Sequence, residues 1–125
     1  MKASTLAAVA LAAAAALAAS FLVATVSRAQ AAADGGAALV IGHHSHSPQE
    51  LEWIGNTLVA YSLGDFVFDI DDHDIARDGA VLRVILSREG VVGAEWIPVR
   101  IVDDVQPRPL AGEDGRPVVQ PVVKP

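Results

Sequence analysis

The chain has 125 residues, no cysteine and a formal charge of −6, from 9 Lys and Arg against 15 Asp and Glu. Without cysteine there are neither disulfide staples nor thiolate metal sites. Apart from Lys2 and Arg28, the basic residues are scattered singly between Arg77 and Lys124, which excludes the clustered cationic surface that binding to nucleic acid requires.

The N-terminus reads as an export signal. Lys2 supplies a positive start, Ala3 to Ser27 carries no charge, and Ala29-Gln30-Ala31 has the small-x-small pattern of a cleavage site. The competing reading is an uncleaved anchor, because the uncharged run exceeds the roughly 20 residues that cross a hydrocarbon core. Alanine inserts weakly, which favours the signal. Residues 1–31 are therefore expected to be a signal peptide or a membrane anchor. Either one places the remainder outside the cytoplasm, in the cell envelope, as a periplasmic or membrane-anchored protein.

Asp34-Gly35-Gly36 is a turn signal, and the run Ala37 to Ile41 then predicts a short strand buried on both faces. That strand leads into Gly42-His43-His44-Ser45-His46. If the strand continued past Gly42, His44 and His46 would share a face and His43 would point away. A loop there relaxes the assignment, since glycine re-aims the residues after it. Imidazole is both a near-neutral base and the commonest metal ligand, and clustered histidines are a compositional cue for metal binding. Nitrogen ligands suit Zn, Fe, Ni or Cu, and added carboxylates widen the choice to Mn. Two imidazoles fall short of the roughly four ligands a stable site takes, so the others must come from elsewhere. The alternatives are a solvent-exposed histidine loop and a metal-free catalytic histidine. For the latter, Ser45 and Ser47 offer only sequence adjacency.

Pro48 breaks the path after the histidines. Leu51 to Ile54, Gly55-Asn56 and Thr57 to Ser62 then read as a hairpin with a two-residue turn. In Leu63 to Asp69, Phe66 and Phe68 share a side if extended and are expected to pack in the core. The acidic stretch Asp69 to Asp78 fails as a calcium loop, because Asp74 stands where the sixth-position glycine is required. It is read as a solvated loop of mutually repelling charges. Ala80 to Leu86 and Val91 to Val102 predict a second hairpin, with Leu82, Val84 and Leu86 on one face of its first strand. Ile97, Val99 and Ile101 share a face of the second. Pro98 lacks an amide proton, which predicts an edge there. Beyond Asp104 five prolines, from Pro107 to Pro125, predict an extended strap or a disordered tail. A body this small, without disulfides, has little core of its own.

Four strings in this order, "LVIGHHSHSPQELEW", "LVAYSLGDFVFD", "WIPVRI" and "QPRPL", resemble the C-terminal end of the CapA family. These are capsule and poly-gamma-glutamate synthesis proteins whose domain is similar to the calcineurin-like metallophosphoesterases. The likeness covers about Ala33 to Leu110, leaving 111–125 as a Pro-rich tail, and the N-terminal segment shows none. The family pattern reads Gly-His-His-Pro-His and Tyr-Ser-Leu-Gly-Asn-Phe, so Ser45 replaces a proline and should loosen the loop, and Asp65 replaces an asparagine.

The resemblance implies an α/β sandwich with one or two divalent ions (Mn, Fe or Zn), present here as a mainly β C-terminal fragment of two hairpins behind an N-terminal hydrophobic helix. It implies His44 and His46 as ligands, His43 as a catalytic proton donor or further ligand, and Tyr61 and Asp65 as substrate-facing or supporting groups. The family's upstream metal motifs are absent from this chain. The implied partners are therefore a second chain completing the site, the envelope polymer, and the membrane if the N-terminal segment stays uncleaved. A non-catalytic exported β module and a truncated remnant are the competing readings.

Overall fold

The computed structural model describes residues 25–67, 77–103 and 105–125. The first part of the signal-like segment, Phe68 and the acidic stretch through residue 76 lie outside them. The described residues are mainly β, with one short helix.

Residues 25–34 form that helix, α1, and Asp34-Gly35-Gly36 is its C-terminal cap. The Gly36 amide donates to the Ala33 carbonyl at 2.9 Å and the Ala37 amide to the Ala32 carbonyl at 3.1 Å. This is the paired closure that satisfies the last carbonyls of a helix. Gln30 and Asp34, one turn apart, are hydrogen-bonded at 2.8 Å on the polar side. Ala29 is only 3% exposed and shares a narrow cleft with Val40, Val59 and Tyr61, so α1 lies on a sheet. The Ala29-Gln30-Ala31 triplet thus sits within a packed helix. Among the described residues no helix is long and apolar enough to cross a membrane.

The first sheet contains β1 (Leu39–Ile41), β2 (Leu51–Ile54) and β3 (Thr57–Ala60) in the order β1-β3-β2. The predicted hairpin is present, with Ile54 opposite Thr57 across Gly55-Asn56. β3 is the central strand, running antiparallel to β2 and parallel to β1. Leu58, Val59 and Ala60 are fully buried, and burying the Leu58 and Val59 side chains contributes about 1.5–3 kcal/mol each. The Thr57 hydroxyl is also buried and is satisfied by the Ala37 carbonyl at 2.6 Å. The expectation that the Ala37 to Ile41 strand is buried on both faces is corrected. β1 is an edge strand, half-buried at Leu39 and Val40, with Ile41 46% exposed.

The second sheet pairs β4 (Asp78–Ser87) with β5 (Gly90–Val102), and β6 (Gln106–Pro109) and β7 (Gln120–Pro121) both pair with the far side of β5. Val81 lies opposite Ile97 and Leu82 opposite Trp96. The two predicted apolar stripes, Leu82/Val84 and Ile97/Val99/Ile101, therefore occupy opposite faces of this sheet. Leu86, beyond a register shift at Ile85/Leu86, is exposed.

Pro98 is not at an edge, because Ala80 faces it from β4 and its carbonyl accepts the Leu110 amide at 2.9 Å on the other side. The missing amide proton falls between β6, which covers Val99 to Val102, and β7, which covers Glu95 and Trp96, and the Leu110 carbonyl opposite it accepts the Val118 amide at 2.8 Å instead. The proline-rich end is thus the extended strap, laid along β5. Arg100 donates to Asp78 across the hairpin at 2.7 Å and holds that carboxyl below its ordinary range.

The sheets join where residues after β3 cross to β4. The Ala80 amide donates to the Leu63 carbonyl at 2.8 Å, and Gly64 bridges Gly79. Both glycines are required by close approach, since a Cβ on Gly79 would collide with the Asp65 carbonyl and one on Gly64 with the Asp78 carbonyl.

Candidate functional site

β1 and β3 are adjacent and parallel, so their C-terminal ends lie side by side. The loop after β1 carries His43 to His46, and the loop after β3 carries Tyr61 to Asp65. Parallel sheets gather ligand-facing loops at this end.

The histidine segment is loop from Gly42 onward. His44 has φ 111° and His46 φ 56°, left-handed values uncommon outside glycine. Strand alternation therefore does not hold, and His44 and His46 do not share a face by that rule. Gly42 keeps the strand's last bond, its amide donating to the Ala60 carbonyl at 2.7 Å, and the backbone turns immediately after it. Ser45 is bonded within the loop: its hydroxyl donates to the Ser47 carbonyl at 2.8 Å, and Ser47 returns a longer bond to the Ser45 carbonyl.

His46 and Asp65 meet. The imidazole Nδ1 lies 3.0 Å from Oδ1 and 3.2 Å from Oδ2 of the carboxylate. The carboxylate side chain is 11% exposed and the imidazole 53%. An ionised carboxylate only accepts, so Nδ1 carries the proton and donates, and in the neutral ring Nε2 keeps its lone pair. This is how a supporting carboxylate orients a ligating histidine. His43 and His44 are exposed on the same loop.

Tyr61 turns to β2, its hydroxyl donating to the Glu52 carboxylate at 2.5 Å. Burial first, then the hydrogen bond and charge of Glu52, push the phenol up to about 12. Sequence reading missed Glu52 as its partner; the signal was available in the hairpin register, which brings the two strands' ends together. Ser62 is buried and its hydroxyl accepts the Gly64 amide at 3.1 Å, which fixes the turn presenting Asp65.

Among the described residues no three His, Asp or Glu side chains converge as a metal site. His46 and Asp65 make a pair, where a divalent centre takes about four ligands. The described residues alone do not fit a complete metal centre.

The family model described as "Bacterial capsule synthesis protein PGA_cap" matches residues 9–70, which include both loops. The chain belongs to this capsule synthesis family. Its CapA relatives include the PGA biosynthesis protein CapA of Bacillus subtilis (strain 168), 35% identical over 82 residues, covering 66% of this chain and 21% of that protein. The Capsule biosynthesis protein CapA of Bacillus anthracis is 32% identical over 82 residues, 66% of this chain and 20% of that protein. The chain thus spans about a fifth of the length of these CapA proteins. No solved structure matches it significantly. The family match begins at residue 9, so the CapA likeness extends into the N-terminal segment, where the sequence strings alone showed none.

Proposed function

We propose that this chain serves capsule or poly-gamma-glutamate synthesis as the histidine-loop segment of a CapA-type, metal-dependent protein of the cell envelope. On its own it is inactive. The complete site, in an α/β calcineurin-like sandwich, uses Mn, Fe or Zn and takes its remaining ligands from another polypeptide. His44 and His46 are ligands, and His43 is the proton donor or a further ligand. Asp65 orients His46, and Tyr61 supports the loop beside it.

The observation that carries this reading is the His46–Asp65 contact at the C-terminal ends of two parallel strands. Such a pair has little use in a packing module, since one side-chain hydrogen bond contributes only about 1 kcal/mol to stability. The competing reading, a non-catalytic exported β module, draws on the shortage of converging donors.

The test is equilibrium dialysis against Mn or Zn, for the chain alone and mixed with the Bacillus subtilis relative lacking its 82 matched residues. We expect at most weak uptake alone and at least one ion per chain in the mixture. His44→Ala and His46→Ala should abolish uptake, and Asp65→Ala should weaken it by about 10–100-fold without changing stoichiometry. Unchanged metal content in both histidine variants would overturn the proposal.

A further inference from the structure

The two edges of the first sheet differ. Beside β2 run Gln120, Pro121 and Val122 of the C-terminal strap, lining a common cleft with Glu50 and Leu51. Beside β1 no strand pairs among the described residues. The direction of its backbone groups is set by the bonds it makes. The Ala38 carbonyl accepts the Leu58 amide at 3.0 Å and the Gly42 amide reaches the Ala60 carbonyl, so even-numbered residues face β3. By alternation, Leu39 and Ile41 direct their amides and carbonyls outward. Proteins blunt such an edge with charge, proline or a bulge, and Ala37-Ala38-Leu39-Val40-Ile41 has none of these.

We infer that the outer edge of β1 receives a strand from a second polypeptide: a short, uncharged, apolar strand running parallel to β1, supplied by the part of a CapA-type protein outside the matched segment. This rests on the reading above that another polypeptide completes the histidine site. Three observations carry it. Parallel pairs such as β1–β3 belong to sheets that continue and are covered, whereas Ile41 is left 46% exposed. About four fifths of each CapA relative lies outside the match. A parallel strand added here also brings its own C-terminal end beside His43 to His46. A second copy of this chain fits less well, because two-fold pairing of β1 with itself is antiparallel and carries the two histidine loops to opposite ends.

The experiment monitors backbone amide exchange by NMR in the full chain, alone and co-expressed with the Bacillus subtilis relative lacking its 82 matched residues. Alone, Val40 should be protected while Leu39 and Ile41 exchange fast. In the complex the latter two should slow by about tenfold or more. Ile41→Pro deletes only an outward-facing donor, as an edge strand tolerates; it should leave the circular dichroism of the chain unchanged and weaken the complex at least about tenfold. Ile41→Lys, which keeps the amide and adds an edge charge, should weaken it too.

The inference is overturned by a complex in which Leu39 and Ile41 still exchange fast, by a Pro variant that folds and binds like the parent, by the absence of any complex, or by a homodimer that protects these amides unaided. Metal uptake without new protection at β1 would sink the edge and spare the proposed function. Protection at β1 without metal uptake would do the reverse.

Discussion

Tyr61 is the only tyrosine in the chain, so its ionisation can be read directly in the tyrosinate absorbance. Burial and the bond to Glu52 both favour the neutral phenol and push it from 10.0 up to about 12. A group raised in the folded state contributes stability that is fully present below its unfolded value and is lost as pH rises from about 10 to about 12. We expect the tyrosinate midpoint of the folded chain to lie near 12 and Glu52→Gln to lower it toward 10. An unmoved midpoint in that variant would mean Glu52 does not hold the hydroxyl. Residues at this scale were only partly legible. The histidines announce themselves by composition, but the pairing of His46 with Asp65 joins side chains 19 positions apart. It depends on β1 and β3 being parallel neighbours, which no local pattern encodes. The positive φ at His44 and His46 was hidden for a related reason: it is uncommon outside glycine, and no local pattern announces it.

Elements were more readable, because alternation and turn chemistry are local. The Gly55-Asn56 hairpin and the Ser87–Gly90 hairpin fall where apolar alternation and turn residues put them. Two readings failed for physical reasons, the two-sided burial of β1 and the edge at Pro98. Pro98 was read against a uniform neighbour strand, whereas the far side of β5 is covered in two pieces with the proline between them. α1 falls in an alanine-rich run whose composition serves an export signal and a small-residue packing face equally well. Its buried position is Ala29, which lines a cleft with Val40 and Val59. Ala29→Glu should bury an unpaired carboxylate against these side chains and cost roughly 3 kcal/mol. It should be read as a lower urea midpoint at unchanged slope. An unaltered midpoint would show that α1 does not depend on this contact for its place on the sheet.

At the scale of the whole molecule, two small sheets without disulfides have to be held together by few contacts. One junction is the Leu63–Gly64 crossing to β4, and the other is the C-terminal strap. β7 pairs with Glu95 and Trp96 of the second sheet, and three residues later Lys124 reaches the first. Its ammonium lies 5.3 Å from the centre of the Trp53 ring and donates to the Asn56 side-chain carbonyl at 2.5 Å. The proline-rich composition made an extended strap legible, since proline favours extended backbone and removes donors. Its landing on Trp53 was not legible, because 68 positions separate Lys124 from Asn56. A cation over an aromatic face contributes about 0.5–2 kcal/mol, and ordering a lysine costs part of that. Lys124→Ala should therefore destabilise the chain by about 1 kcal/mol, lowering Tm by about 4–8 °C for a body of this size. Lys124→Arg, which keeps both the charge and the donors, should retain most of the stability. If the strap staples the sheets, the alanine variant still unfolds in one transition at the lower temperature. A Tm equal to the parent's, with faster amide exchange confined to Val118 to Val122, would instead make the strap a loosely laid strand that the two sheets do not need.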